Sequence, residues 1–133
     1  MTTLEPGDTL TLECPKITRT VLALYAGASG DHNPVHIDTD ACQAVGIDDV
    51  FAHGMLSMAY LGRLLTDWVP QERIKSCEVR FSAITPVNST PICTGTVAGV
   101  ENGLARLDLT VTLPDGTVTL RGAAVVTANL PTT

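Results

Sequence analysis

The sequence predicts an α+β protein in which one long helix is wrapped by a curved antiparallel sheet of about five strands. Three observations carry this expectation. The stretch from Gly54 to Trp68 is apolar around most of its circumference, so a helix there has to be enclosed. The residues after it alternate apolar and polar with period two, as half-buried strands do. Asn102-Gly103 and Pro114-Asp115-Gly116 interrupt that alternation with tight-turn chemistry, and short hairpins force antiparallel neighbours.

The elements follow in order along the chain. Thr9 to Cys14 alternates with period two and reads as a first strand, ended by Pro15. Thr18 is a good N-cap for a helix over Arg19 to Ser29. In that helix Val21, Leu24, Tyr25 and Ala28 fall at i, i+3, i+4 and i+7, which predicts one core-facing stripe. Gly27 and Gly30 release the chain into a polar loop, Ser29 to Asp38. Asp38 or Thr39 can cap a short helix running to Val45, with Gly46 as its stop. A second loop, Ile47 to Ala52, leads to His53-Gly54 and the long helix.

Four further strands are expected after Trp68. Cys77, Val79, Phe81 and Ala83 alternate with Glu78, Arg80 and Ser82. Ile92 to Val100 is a looser strand, with Gly95 and Gly99 as candidate bulges or bends. Leu107 to Leu113 and Val118 to Val126 complete the set. A sheet holding a single apolar helix in its concave face is the hot-dog arrangement, here a single domain over residues 1–133. Its open edges lead us to expect a dimer.

Composition limits the function classes. A net charge of −6, with eight scattered Lys and Arg residues, argues against nucleic-acid binding as the main role. No apolar run is long enough to cross a bilayer. The first residues carry Glu5 and Asp8 and no basic n-region, so a cytoplasmic protein without a signal peptide is expected. Cys14, Cys42, Cys77 and Cys93 form no C-x-x-C pair, which makes a zinc site improbable and reduced core thiols the default reading. No G-x-S-x-G elbow, P-loop or G-x-G-x-x-G is present, so covalent and nucleotide-dependent mechanisms rank low.

The chemistry-bearing residues gather in the two loops. Asp31 and His36 are five apart on irregular backbone, which can fold them together as an acid/base pair. Asn33 can hold the loop or orient a water, and Pro34 fixes its backbone. Asp31, Asn33 and Asp38 also suit a purely local role as turn formers and caps. Gly54 opens the long helix, where backbone N–H groups lack internal partners and carry partial positive charge, so its N–H is a candidate oxyanion donor. Equally, Gly54 can simply permit a tight turn. His53 can cap the helix or line a pocket, and Ser57 lies one turn further on. His32 is expected to face solvent.

The segment Tyr25-Ala26-Gly27-Ala28-Ser29-Gly30-Asp31-His32-Asn33-Pro34-Val35-His36-Ile37-Asp38 resembles the hydratase signature of the MaoC-like, (R)-specific enoyl-CoA hydratase family. Ala52-His53-Gly54-Met55-Leu56 resembles its second motif. The resemblance implies a hot-dog fold and an Asp-His dyad, with Asp31 and His36 holding the reacting water, Asn33 supporting them and the Gly54 N–H binding a thioester carbonyl. It implies reversible syn hydration of a trans-2-enoyl thioester to the (3R)-3-hydroxyacyl thioester on coenzyme A or acyl carrier protein. No metal or redox cofactor is implied. The chain is also similar to the catalytic subunits of heterodimeric (3R)-hydroxyacyl-ACP dehydratases, so a related hot-dog subunit is a candidate partner beside a homodimer. Phe51 departs from the smaller aliphatic residue common before Ala-His-Gly, which bears on acyl-chain preference. A hot-dog thioesterase and a non-catalytic partner subunit are the competing readings.

Overall fold

The computed structural model describes residues 3–128. Its elements are β1 (Thr9–Glu13), α1 (Arg19–Ser29), a 3-10 turn (Pro34–His36), α2 (Thr39–Ala44), α3 (Gly54–Trp68), a second 3-10 turn (Gln71–Arg73), β2 (Ile74–Phe81), β3 (Ile92–Glu101), β4 (Leu104–Thr112) and β5 (Val118–Thr127). The strands form one antiparallel sheet in the order β1-β3-β4-β5-β2. This is the five-stranded hot-dog arrangement that the alternation and the apolar helix predict. No helix among the described residues is long and apolar enough to cross a membrane.

Turn chemistry sets the strand order. Asn102 and Gly103 both have positive φ, 55° and 76°, as a tight turn between β3 and β4 requires. Across that turn Glu101 pairs with Leu104, and the register runs on to Ile92 and Thr112. It slips once, between Val97 and Gly99, so Ala98 is an extra residue and a bulge lies beside Gly99 as expected. Gly95 serves a different purpose. A Cβ there would lie 3.3 Å from the side chains of both Leu109 and Trp68, so the bare backbone lets α3 approach the sheet closely.

Packing follows from the two periodicities. Ala105, Leu107, Leu109 and Val111 of β4 and Leu120, Ala124 and Val126 of β5 are buried on one sheet face. Leu61, Leu64 and Leu65 of α3 join them in one cluster. Each such leucine contributes about 1.5–3 kcal/mol by leaving water. A second cluster, Ile17, Leu22, Cys42, Val50, Ala52 and Leu56, ties α1, α2 and the intervening loops to the first turn of α3.

Several expectations shift. The buried residues of α1 are Leu22 and Ala26, with Val21 and Tyr25 partly covered, whereas Leu24 is 70% exposed and Ala28 faces out. The i, i+3, i+4 spacing fits two adjacent phases, and the second cluster engages the helix from the Leu22 side. Enclosure of α3 is one-sided: Met55 and Ala59 are exposed, because the sheet covers one face and α1 only part of the other. The strand expected over Cys77 to Ala83 instead spans Ile74–Phe81, and Phe81 is 53% exposed. Helix α2 stops at Ala44, with Val45 at its C-cap, and β1 stops at Glu13. Asp38, not Thr39, caps α2, accepting from the N–H groups of Asp40 and Ala41.

Two glycines separate steric from intrinsic effects. A Cβ on Gly122 would stand 2.3 Å from the Glu78 carbonyl oxygen, so Gly122→Ala must push β2 off β5. Gly62 lies inside α3 with open space where an alanine Cβ would stand. Urea denaturation is expected to show Gly122→Ala destabilised by about 2 kcal/mol or more, in the range of overpacked cores. Gly62→Ala should be stabilised by about 0.5–1 kcal/mol, the helix-propensity gain.

Candidate active site

The loop after α1 is held by its own side chains. Gly30 caps α1 with φ 81° and returns its N–H to Ala26. Ser29 Oγ then accepts from the Asp31 N–H at 3.1 Å, Asp31 Oδ1 from the Asn33 N–H at 3.2 Å, and Asn33 Oδ1 from the Val35 N–H at 3.2 Å. This relay of side-chain-to-backbone bonds is the turn chemistry these residue types favour. It sharply reverses the chain and starts the 3-10 turn at Pro34. Asp31 and Asn33 thus both serve the loop locally, and Asn33 acts through backbone geometry.

The same loop brings Asp31 and His36 together. His36 is 8% exposed, and its Nε2 stands 3.9 Å from Asp31 Oδ2. That is beyond a direct hydrogen bond. His36 Nδ1 donates to the Phe51 carbonyl at 2.8 Å, because a carbonyl can only accept. In the neutral ring the lone pair therefore lies on Nε2, the nitrogen that faces the carboxylate. The Phe51 ring meets the imidazole edge-on, with centroids 5.1 Å apart.

His53 backs this pair. Its ring stacks on His36 at 4.0 Å and receives Tyr25 edge-on at 4.8 Å. It stands at the N-cap position of α3 but makes no side-chain cap bond. Instead Nε2 donates to the Asp31 backbone carbonyl at 3.1 Å, pinning the loop from below. Among the described residues its Nδ1 is buried without a partner. Burial pushes the His53 imidazole below its ordinary range; the Asp31 carbonyl opposes this and the neighbouring His36 adds to it.

Gly54 follows directly and starts α3, whose first turn carries no side-chain cap. The first N–H groups of such a helix have no internal partners. A Cβ on residue 54 would stand 2.8 Å from Phe81 Cε1, so the bare glycine also accommodates that ring. Ser57, one turn on, is 2% exposed. His32 is exposed, as expected. Asp31, His36 and His53 thus converge beside the start of α3.

By residue type, Asp31, His36 and His53 are also a set that can hold a cation, with donor atoms within 4.8 Å of one another. The donor set fits one poorly. His53 Nε2 is committed to a carbonyl, and metallating it would leave a proton on Nδ1 with no acceptor. The cysteines lie elsewhere: Cys14, Cys42 and Cys93 are buried and all four are free thiols.

Two features of the site had no sequence signal. The Phe51 and Asp31 carbonyls are main-chain groups that every residue carries, so their role is invisible before folding. The Phe81 ring reaches Gly54 only through the pairing of β2 with β5.

The low proton affinity of His53 gives a pH prediction. An unfolded His53 takes up a proton as pH falls through about 6.5, and the folded one resists. Its contribution to stability is therefore present above that pH and lost below it. In chemical denaturation, the stability gap between the wild-type protein and His53→Asn should narrow from pH 7.5 to pH 5. A gap that stays constant would contradict a neutral buried imidazole.

Comparison with known proteins bears on the family and the fold. A family model described as MaoC like domain matches residues 3–116. The 3-hydroxyacyl-thioester dehydratase Z of Mycobacterium tuberculosis is 32% identical over 106 residues, covering 73% of this chain and 70% of that protein. The (R)-specific enoyl-CoA hydratase of Rhodospirillum rubrum is 30% identical over 114 residues, covering 83% and 78%. Among solved structures, the unliganded R-hydratase PhaJ1 from Pseudomonas aeruginosa superposes with a TM-score of 0.86 at 24% identity, over 96% of this chain and 84% of that one. The ChsH1-ChsH2 complex from Mycobacterium tuberculosis matches with a TM-score of 0.82 at 24% identity, over 93% and 98%. At that identity both structures speak to the fold alone. With the family model spanning most of the chain and two relatives at or above 30% identity, the chain belongs to the MaoC-like family and is a hydro-lyase.

Proposed function

We propose that this protein reversibly hydrates trans-2-enoyl thioesters to (3R)-3-hydroxyacyl thioesters, using Asp31 and His36 on a coenzyme A or acyl carrier protein substrate. One observation carries the reading. The Phe51 carbonyl holds the His36 Nδ1 proton, which leaves Nε2 as an acceptor 3.9 Å from the Asp31 carboxylate. Two acceptors at that separation can share one water, each about 2.8 Å from its oxygen. His36 takes a proton from that water as the oxygen adds to C3. The Gly54 N–H, at the positive end of α3, stabilises the enolate oxygen that forms on the thioester. The proton then returns to C2 from the Asp31–His36 pair. Hydroxyl and proton arrive from one face, so addition is syn and no proton is left over.

The supporting residues take defined parts. His53 holds the Asp31 backbone and stacks on His36; Asn33 shapes the loop between them. Ser57, buried one turn into α3, is the remaining candidate for contact with the substrate. Residues 1–133 then act as one hydratase domain.

A second chain completes the picture. Met55, Phe81 and Ile84 are each more than half exposed, and β2 is an edge strand of the sheet. Exposed apolar side chains beside an unpaired edge favour burial by another subunit. That subunit is a second copy or a related hot-dog chain. Light scattering should give a dimer for the isolated protein, or a heterodimer with a related chain, and Phe81→Glu should shift either to monomer.

The dyad is tested by following loss of the conjugated enoyl absorbance with crotonyl thioester. Asp31→Asn and His36→Gln are each expected to lower kcat by about 10²–10⁴ with the circular dichroism spectrum unchanged. Near-full activity in both variants would overturn the assignment. Release of free thiol without a 3-hydroxyacyl product would favour the thioesterase.

A further inference from the structure

Phe51 has two neighbours of different character. On one side its ring and carbonyl meet His36. On the other it lines an open cavity of about 280 Å3 with Ile47, Val50, Ile84, Pro86 and Val87. An isolated bridge to Pro86, together with the Phe51 N–H bond to the Val35 carbonyl at 3.2 Å, fixes the backbone of Phe51 between the two. Phe51 is half-buried, whereas Ile84 on the far wall is 53% exposed.

We propose that Phe51 sets the length of acyl chain the site accepts, its ring standing between His36 and an apolar cavity able to take a longer tail. The inference rests on the thioester-hydratase reading above. Three observations favour an acyl tail over any other part of the substrate. Most of the lining is aliphatic. Asp48 also borders the cavity with no cation paired to it among the described residues, and a carboxylate there repels the phosphates of a thioester carrier. Asp49, on the same wall, is fixed in its charged form as the partner of Arg19, which makes that wall polar. Bonds from Thr39 and from the Val50 N–H, with Arg19 beside it, hold its carboxyl below the usual range. An uncharged tail suits the aliphatic lining, and the carrier must leave in another direction.

A phenyl ring beside the reacting atoms discriminates by excluded volume. Short enoyl groups fit in front of it; longer ones need the space behind it. The backbone carbonyl that orients His36 survives any side-chain change, so the ring can be trimmed without removing that bond. Each methylene admitted to or refused by an apolar pocket is worth about tenfold or more in selectivity.

The test compares kcat/KM for crotonyl-, octenoyl- and dodecenoyl-CoA in the wild-type protein, Phe51→Leu and Phe51→Ala. The ratio of dodecenoyl to crotonyl is expected to rise about tenfold or more in Phe51→Ala, mainly through KM, and by a smaller factor in Phe51→Leu. Adding Val87→Phe to Phe51→Ala should fill the cavity and reverse the gain. An unchanged ratio, or one that Val87→Phe does not reverse, overturns the proposal. Should Phe51→Ala fail to fold, Phe51→Leu carries the comparison. Binding of butyryl- and dodecanoyl-CoA, measured by calorimetry, gives the same ratio without turnover. If no enoyl thioester is hydrated, the hydratase reading falls, while the binding ratio still decides the role of Phe51.

Discussion

Burying α3 is the constraint on which the rest of the structure depends. Leu61, Leu64 and Leu65 are at most 1% exposed, and only a sheet wide enough to cover them can achieve that. Five strands do so, with inward residues of β3, β4 and β5 meeting the helix where Gly95 leaves room for Trp68. The same burial fixes the first turn of the helix in space. That turn has no side-chain cap; the Leu56 N–H bonds the His53 carbonyl at 3.1 Å, and the N–H groups ahead of it lie before the first helical bonds. The polar side chains of Asp31, His36 and His53 gather beside this turn.

The loops are rigid for reasons separate from the core. Ser29, Asp31 and Asn33 bond successive backbone N–H groups, and His53 secures the Asp31 carbonyl from beneath. Asp31 is thereby fixed through its main chain while its carboxylate stays 52% exposed and open to a ligand. His36 is the converse: its ring is buried, and its orientation comes from the Phe51 carbonyl and the His53 stack. Asp31 is held by its backbone and His36 by its ring, which is how two side chains on irregular chain keep a defined separation. Burial lowers the proton affinity of His53, so His36 stacks on a neutral imidazole.

Much of this was legible before folding. Alternation located the five strands, and Asn102-Gly103 located a hairpin with both residues at positive φ. The apolar circumference located α3 to the residue. The errors share a cause. On α1 the apolar spacing fitted two helical phases, and Leu24 was placed inside although it is exposed. On β2 the alternation continues past Phe81, yet regular pairing with β5 ends at Leu120, and Ser82 and Ala83 both bond the one Thr119 carbonyl. Periodicity reports that a face exists; its angle and extent are set by what packs against it.

The sequence alone determined the α+β class, the antiparallel sheet around one helix, and the residue types that gather in the two loops. Those features follow from local rules: side-chain period, turn chemistry and capping act over a few residues and need no partner. Only the tertiary structure decided which nitrogen of His36 carries the proton, because a main-chain carbonyl fifteen residues away selects it. Tertiary structure likewise decided that His53 braces the loop in place of capping its helix, and that Phe51 stands between the site and a cavity. Contacts between distant segments are products of packing, and packing is a property of the whole chain.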